Sequence, residues 1–219
     1  MIKARDNYWA RVLFDFYIEK LLRKNFSHFY LLNKFPVLNS NDSIILTPNH
    51  FSWWDGFFLD WILKHETKYK IKLMMLHEQL KRYWFFKYVG AYSINPGNPA
   101  SIKDAIKYTC SLLNEERNGI IIYPQGNIEP YEKRPLQLKG GLKLILKSKD
   151  NTVIIPVGFK IHYTEEKYPS IICRFGEPIS AQVVINDFPL FTETFLKNLN
   201  LLDASVCQLN VVKDYFSDL

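Results

Sequence analysis

The sequence predicts an α/β fold: a mixed, largely parallel sheet flanked by helices, with an N-terminal amphipathic helical arm. Short runs rich in Ile and Val, of the length of buried strands, alternate along the chain with longer amphipathic segments. Alternating β and α units of this kind favour a parallel sheet that is covered on both faces. The 219 residues are 47% hydrophobic and 23% charged, a composition that suffices for one well-filled core.

The first 36 residues are predicted to form the arm, and residues 37–219 the main domain. Between residues 8 and 32 the charged side chains recur about every fourth position, so they cluster on one side of a helix that Pro36 closes. Residues 1–35 carry seven basic against three acidic side chains. A cationic helix rich in Trp and Phe can lie in a bilayer interface, but it can equally pack on the domain, and both interpretations remain open.

The main domain then alternates between strand and helix patterns. Segments that are short, apolar and β-branched predict strands at 43–48, 71–76, 91–99 (a strand followed by a turn), 120–127 (a strand running into a glycine turn), 152–159 and 170–179. Helices are predicted over 54–65, 79–90, 100–119, 138–150 and roughly the last thirty residues. Ser101 is the expected N-cap of the third of these helices, and Gly90 and Gly119 are expected to end the second and third.

Several classes of site are excluded by missing motifs. Cys110, Cys173 and Cys207 are widely spaced and odd in number, so they predict reduced core residues rather than a disulfide framework. No histidine has a metal-ligand spacing such as HExxH, and the chain has no Walker A loop, GxGxxG loop or GxSxG elbow. We therefore expect no metal, no bound nucleotide and no serine hydrolase.

The net charge of +6 is unevenly distributed. Residues 64–87, like the N-terminal segment, are basic and aromatic, with seven basic against two acidic side chains. Such segments favour an anionic partner, either nucleic acid or a lipid surface. Because no signal-peptide stretch and no window of ~18 uncharged apolar residues is present, we expect a protein that is cytoplasmic or attached to a membrane without crossing it.

The stretch TPNHFSWWDGFF, residues 47–58, carries the candidate catalytic pair. His50 directly follows a predicted strand, and Asp55 falls in the first turn of the next helix. Function in parallel sheets gathers at the carboxyl ends of strands, and a loop-to-helix bend would bring these two side chains together. Asp55 would then hold one imidazole nitrogen and leave the other as a general base. A local hydrogen bond or helix cap is the alternative that this spacing leaves open.

Four short blocks, in a fixed order, resemble those of the glycerolipid and lysophospholipid acyltransferase family, best known from lysophosphatidic acid acyltransferase. Asn49, His50 and Asp55 match the Asn-His-x4-Asp block of that family. The other stretches are GAYSINP (90–96) at the Gly-…-Ile-x-Arg block, YPQGNI (123–128) at the Phe-Pro-Glu-Gly-Thr-Arg block, IIPVGF (154–159) at the apolar-Pro-apolar strand, and a later FGEPI (175–179). The resemblance covers most of the chain, from about residue 43 to residue 180.

The resemblance implies an O-acyltransferase that uses no metal and no bound cofactor. His50 would deprotonate an acceptor hydroxyl, which attacks an acyl thioester of coenzyme A or of acyl carrier protein, while Asp55 orients His50. Main-chain N–H groups near Gly126 are the candidate donors to the tetrahedral oxyanion. The substrate-binding residues that the resemblance implies are Asn49, Asn95, Tyr123, Pro124, Gln125, Gly126, Asn127, Lys133, Arg134 and Pro156. The implied partners are a lipid acceptor, an anionic membrane surface and, as one of the two donors, acyl carrier protein, but no nucleic acid. The expected location is the cytoplasmic face of a membrane, as a peripheral or monotopic protein.

The sequence departs from the family at its cationic positions. The usual third-block glutamate is Gln125, the Thr-Arg pair is Asn127-Ile128, and the second-block arginine is Asn95. Because arginine suits bidentate phosphate binding, these losses predict an acceptor other than a simple glycerol phosphate, such as a neutral or glycosylated hydroxyl lipid. Lys133 and Arg134 are alternative cations. A lysophosphatidic acid acyltransferase, transfer to an amine, thioester hydrolysis and a non-catalytic lipid-binding protein remain as alternatives.

Overall fold

The computed structural model describes residues 1–39, 42–115, 117–147, 149, 151–206 and 210–217. Its strands are β1 Phe29–Leu31, β2 Ser43–Pro48, β3 Lys70–Leu76, β4 Ala91–Ile94, β5 Asn118–Ile121, β6 Thr152–His162, β7 Ser170–Phe175, β8 Ile179–Ser180 and β9 Lys213–Asp214. Over the described residues they form one sheet in the order β4-β3-β5-β2-β6-β7-β1-β9, with β8 paired to β6. The run from β4 to β6 is parallel, whereas β6–β7 and β1–β9 are antiparallel. The predicted mixed, largely parallel fold is confirmed.

The helices are α1 Tyr8–Asn25, α2 Asp55–Glu66, α3 His77–Arg82, α4 Pro99–Leu112, α5 Gly141–Leu146, α6 Ala181–Asn186 and α7 Phe188–Val206, with a 3₁₀ helix at Trp84–Val89. They cover both faces of the sheet because the central strands are apolar on both sides. In β2, Ile44 and Leu46 pack with α1 and α2, whereas Ile45 packs on the opposite face with α4 to α7.

Several predicted boundaries are wrong for identifiable reasons. The helix predicted over residues 8–32 ends at Asn25, because Phe29–Leu31 instead pairs in parallel with β7. The N-cap of α4 is Asn98, whose side chain accepts a hydrogen bond from the main-chain N–H of Ser101, so Ser101 is not the cap. Gly119 does not end that helix; it lies in β5, where an added Cβ would meet the side chain of Ile44 at 3.2 Å.

Other elements differ mainly in extent. The helix predicted over 79–90 divides into α3 and the 3₁₀ helix, which ends as predicted at Gly90 with φ +104°. Of the helix predicted over 138–150, the described residues form only α5, and residues 148 and 150 lie outside them. The strand predicted over 170–179 divides into β7 and β8. Cys173 is buried in β7 as predicted, Cys110 is only half-buried, and Cys207 lies outside the described residues.

Helix α1 packs on the domain with one side and exposes the other. Ile18 and Leu22 belong to the core, and the Arg11 guanidinium donates to both carboxylate oxygens of Asp60 in α2, at 2.8 and 2.7 Å. On the outer side, bulky apolar residues are exposed, among them Trp9, Leu13 and Phe16. None of the helices in the described part of the chain combines the length and apolar character needed to cross a bilayer. The division at residue 36 and the membrane role of this segment stay predictions.

Candidate active site

His50 and Asp55 meet at the carboxyl edge of the sheet. Strand β2 ends at Pro48, two residues before His50, and α2 begins at Asp55. The imidazole Nδ1 lies 2.9 Å from Asp55 Oδ2. The Asp55 side chain is fully buried, whereas 21% of the His50 side chain is exposed. Since Nδ1 is held from the protein side, Nε2 is the nitrogen available for proton exchange with a substrate.

Asp55 also binds the main chain of the loop between β2 and α2. Its Oδ2 accepts hydrogen bonds from the main-chain N–H groups of Phe51, at 2.8 Å, and Ser52, at 2.9 Å. Its Oδ1 is buried and has no hydrogen-bond partner among the described residues. Burial raises the pKa of Asp55 above its ordinary value, and the hydrogen bonds from His50, Ser52 and Phe51 oppose that rise. The carboxyl therefore serves both as a loop cap and as the orienting group for the imidazole.

The third block lies beside His50 because β5 is the neighbour of β2. The ring of Tyr123 stacks on the imidazole, with centroids 4.0 Å apart and planes at 27°. Gln125 Oε1 accepts from the main-chain N–H of His50 at 2.7 Å, and Gln125 Nε2 faces the carbonyl of His50 at 3.4 Å. Tyr123 thus supports the imidazole, whereas the Gln125 side chain is occupied by the protein main chain rather than left for substrate.

Glu129 is a site residue that the sequence analysis missed. Its main-chain N–H donates to the carbonyl of His50 at 2.9 Å. Its carboxylate accepts from Gln125 Nε2 at 3.2 Å and from the ammonium of Lys133. Hydrogen bonds from Lys133 and then Gln125 lower the pKa of Glu129 below its ordinary value. Only its position four residues after Gln125 could have drawn attention to it.

Two predicted substrate-binding residues have scaffold contacts instead. The amide of Asn49 donates to the carbonyl of Phe159 at 2.9 Å and accepts from the N–H of Phe159 at 2.8 Å, so it ties the end of β2 to β6. Pro156 is buried inside β6 opposite Thr47. Neither side chain is free to contact a substrate.

Asn95 is separated from the other predicted residues. It follows β4, and β3 and β5 lie between β4 and β2, a spacing of roughly 14 Å at the usual distance between strands. Its carbonyl Oδ1 accepts from the N–H of Gly97 at 3.1 Å, which is a turn contact. The structure therefore does not bring Asn95 to His50.

The main-chain N–H of Gly126, which the sequence predicted as a donor to the oxyanion, is bonded within its own turn. Gly126 has φ +74°, and its N–H donates to the carbonyl of Tyr123 at 3.1 Å, so this N–H is engaged within the turn. Pro124 accepts from the main-chain N–H of Lys139 at 2.8 Å. That contact brings the Lys139 ammonium over the turn, where an added Cβ on Gly126 would lie 2.7 Å from Nζ. Asn127 is exposed beside it.

The two cations that the sequence analysis named are engaged by carboxylates. Lys133 pairs with Glu129, and Arg134 lies 3.6 Å from Asp203. Lys139 forms no ion pair in the part of the chain that the structure describes, although its charge also helps to lower the pKa of Glu129. The sequence spacing does not identify Lys139, because Lys139 lies near the Gly126 turn only through the fold of the intervening loop. Among the same residues no cluster of three or more His, Cys, Asp or Glu side chains could hold a metal ion.

Residues 28–160, more than half of the chain, match the family described as Acyltransferase. The chain belongs to the Acyltransferase family. The resemblance drawn from the four sequence blocks is thereby confirmed, and the matched region contains His50, Asp55 and the third block.

One curated relative of this acyltransferase family member is the 1-acyl-sn-glycerol-3-phosphate acyltransferase of Streptococcus pneumoniae (strain ATCC BAA-255 / R6). It is 28% identical over an alignment of 160 residues, with coverage of 70% of this chain and 55% of that protein. The chain thus spans about half the length of the curated relative it matches. The name of the relative specifies a glycerol phosphate acceptor, so the comparison gives no support to the predicted neutral acceptor.

A solved structure has the same architecture. The crystal structure of the 1-acyl-sn-glycerophosphate (LPA) acyltransferase PlsC from Thermotoga maritima is similar with a TM-score of 0.61, at 15% identity, over 91% of this chain and 83% of that chain. At this identity the likeness shows the fold alone.

Proposed function

We propose that this protein transfers a fatty acyl group from an acyl thioester to the free hydroxyl of a 1-acylglycerol 3-phosphate. The observation that carries the proposal is the His50 Nδ1 to Asp55 Oδ2 hydrogen bond of 2.9 Å at the carboxyl edge of the sheet, in a chain of the Acyltransferase family. The donor is acyl-CoA or acyl carrier protein. Such a reaction belongs to phospholipid synthesis.

The dyad performs the two proton transfers of the reaction. Nε2 of His50 accepts the proton of the acceptor hydroxyl as its oxygen attacks the thioester carbonyl. The resulting tetrahedral intermediate collapses, the carbon–sulfur bond breaks, and the thiolate takes the proton back from the imidazolium. The Asp55 carboxylate stabilises the imidazolium between these steps, because opposite charges in a buried site attract strongly. The nucleophile comes from the acceptor, so the protein itself forms no acyl intermediate.

Lys139 supports a phosphate-bearing acceptor. Its ammonium lies over the turn at Gly126. Gly126 is the residue after Gln125, whose side chain binds the main chain of His50. A charge-assisted hydrogen bond to phosphate is roughly twice as strong as one from a neutral amide. Lys139 would therefore supply the positive charge that members of the family usually obtain from an arginine. In this chain Ile128 occupies the position of that arginine. We thus propose a phosphate-bearing acceptor in place of the neutral acceptor that the sequence alone predicts.

The exposed aromatic side chains support peripheral binding to an anionic membrane surface. We define the aromatic face as Trp9, Leu13 and Phe16 of α1 together with Trp84 and Phe85 of the 3₁₀ helix, all exposed. The two elements are neighbours, since Phe14 contacts Phe86 with ring centroids 5.9 Å apart. Lys81, Arg82 and Lys87 add positive charge close to it along the chain. Aromatic and basic side chains together favour the interface of an anionic bilayer.

The experiment is a product analysis with the full-length chain and labelled acyl-CoA or acyl carrier protein. Acceptors are 1-acylglycerol 3-phosphate, lysophosphatidylcholine, monoacylglycerol and a lysoglycolipid. The expected product is labelled phosphatidic acid, formed from the first acceptor and lost in His50→Ala. Labelling of monoacylglycerol in strong preference to the phosphate acceptor, or release of free fatty acid alone, would overturn the proposal.

A further inference from the structure

We propose that Gln125 and Glu129 are positioning residues that hold the main chain of His50, and that they can do so only as an amide paired with a carboxylate. By the resemblance of the third block, the family usually has glutamate where this chain has Gln125, so the amide departs from the usual pattern. It rests on the proposed function for its activity measurements. A second measurement, which needs no substrate, separates a failure of this proposal from a failure of the function.

The two residues bind the main chain of His50 at both its N–H and its C=O. Gln125 Oε1 accepts from the N–H of His50 at 2.7 Å. The carbonyl of His50 accepts from the N–H of Glu129 at 2.9 Å and faces Gln125 Nε2 at 3.4 Å. Gln125 Nε2 also donates to Glu129 Oε2 at 3.2 Å, and Lys133 donates to Glu129 Oε1. A continuous set of contacts thus runs from Lys133 through the carboxylate and the amide to the catalytic histidine.

The amide at position 125 is required by its surroundings. One end must accept from an N–H, and the other must donate towards a carbonyl and a carboxylate. A glutamate at position 125 would retain the first contact but would place a second carboxylate against Glu129. Since only 4% of Gln125 is exposed, water screens that repulsion poorly at position 125, and the second carboxylate raises the pKa of the introduced one. The family's usual glutamate is therefore unfavourable here unless residue 129 also changes.

Displacement of this main chain affects the imidazole directly. His50 occupies the start of the loop whose next two N–H groups bind Asp55. A shift of about 1 Å in a reacting group can reduce turnover by about 10²-fold. We therefore expect Gln125→Glu to lower kcat by about 10²-fold. The KM values should change less, because neither side chain contacts substrate in this proposal.

Reversing the pair should restore activity. In Q125E/E129Q the carboxylate at 125 accepts from the N–H of His50, and the amide at 129 donates to that carboxylate. We expect the double variant to regain at least about tenfold of the kcat lost in Q125E.

Glu132 provides the matched control. It is exposed and lies three residues after Glu129 in the same loop. The variant Q125E/E132Q has the same net charge as Q125E/E129Q but leaves the Glu129 carboxylate facing the introduced carboxylate at position 125. It should show no recovery of kcat. If Q125E is too unstable to purify, the proposal predicts that Q125E/E132Q is equally unstable and that Q125E/E129Q folds; two equally unstable double variants would overturn it.

The measurements are kcat and KM with acyl-CoA and 1-acylglycerol 3-phosphate, thermal unfolding, and amide hydrogen exchange of a peptide covering residues 49–55. The expected result is faster exchange and lower kcat in Q125E and Q125E/E132Q, with both restored in Q125E/E129Q. Equal kcat in the two double variants, or parent-like kcat and exchange in Q125E, would overturn the proposal. If the parent acylates no acceptor, the proposed function fails, and the exchange measurements still decide the pairing.

Discussion

The imidazole of His50 stacks on the ring of Tyr123, with centroids 4.0 Å apart. The two residues follow neighbouring parallel strands, β2 and β5, so the sheet itself creates this contact. Asp55 holds Nδ1 at 2.9 Å, and Gln125 binds the main-chain N–H at 2.7 Å. The imidazole is thus fixed at its face, its edge and its backbone before any substrate binds. Preorganisation of this kind lowers the barrier because little reorganisation remains for the reaction.

The first prediction is that His50→Ala removes general-base catalysis while the protein stays folded. The expected loss is ~10²–10⁴-fold in kcat/KM, the usual contribution of such a base. The side chain is partly exposed, with 21% accessible, so the thermal unfolding midpoint should change little. Steady-state kinetics and a melting curve on the same preparation are the measurements. Near-normal turnover in the folded variant would contradict the mechanism.

The second prediction is that Asp55→Asn lowers activity and removes a pH-dependent destabilisation. The amide oxygen can still accept the N–H bonds of the loop, but it carries no charge to stabilise an imidazolium. The loss should therefore not exceed that of His50→Ala, ~10²–10⁴-fold. Because burial raises the pKa of Asp55 in the folded state, the folded protein binds this proton more tightly than the unfolded chain. Ionisation then costs stability as the pH rises from the unfolded pKa through the folded one.

Urea unfolding between acidic and neutral pH measures this effect. The free energy of unfolding of the parent should fall as the pH rises through that window, whereas that of Asp55→Asn should not. The difference, variant minus parent, should therefore increase with pH. Ser52→Ala is a suitable control, since it keeps both the carboxyl group and the N–H of residue 52 that binds it. A relative stability of Asp55→Asn that falls with rising pH would show that the folded state lowers, rather than raises, the pKa of Asp55.

The sequence predicted the parts of this site that depend on short-range order. The apolar run of β2, the helix that begins at Asp55 and the five-residue spacing across their junction suggested the His50–Asp55 contact, with a local hydrogen bond or helix cap as the alternative. The roles of Gln125 and Glu129 could not be predicted in this way. They depend on β5 lying next to β2, and on which main-chain groups this pairing leaves free.

Long-range returns of the chain explain the other differences. Strand β1 has three residues and pairs with residues about 140 positions later in the sequence, so the local helical pattern gave no sign of it. Lys139 is thirteen residues after Gly126, and only its main-chain bond to Pro124 brings its ammonium back to the turn. Lys133 and Arg134 are nearer in sequence, but each already has a carboxylate partner.

The third prediction is that Lys139→Gln selectively weakens use of a phosphate-bearing acceptor. The KM for 1-acylglycerol 3-phosphate should rise by at least about tenfold, since one charge-assisted bond contributes about 1.5–3 kcal/mol. Acylation of monoacylglycerol, which has no phosphate, should be unchanged. Lys147→Gln is the matched control, because it removes an exposed lysine from the end of α5.

Arginine at position 128 offers a further check on this assignment. Ile128 is 54% exposed and occupies the position where the family usually has arginine. Ile128→Arg in the Lys139→Gln background should recover part of the lost affinity for the phosphate acceptor. Equal effects of Lys139→Gln on the phosphate and the neutral acceptor would exclude Lys139 as the phosphate-binding group.

The fourth prediction concerns the aromatic face. Replacing Trp9, Leu13 and Phe16 together by serine in the full-length chain should reduce binding to phosphatidylglycerol-containing vesicles by at least about tenfold, because each buried apolar side chain contributes roughly 1.5–3 kcal/mol. Point substitutions are preferable to removal of residues 1–36, which would also delete β1 and the buried Ile18. Such a truncation would damage the fold and leave the cause of any lost binding ambiguous.

Salt and a control substitution complete the membrane test. The part of the binding that comes from basic residues, ~1 kcal/mol for each one near the surface, should weaken as ionic strength rises, because the Debye length shortens. Tyr163→Ser is the control, since Tyr163 is 76% exposed after β6 and outside the aromatic face. Vesicle co-sedimentation of the parent, the triple variant and the control gives the comparison. Undiminished binding of the triple variant would show that α1 is not the anchor, and Trp84 and Phe85 would then be the next side chains to replace.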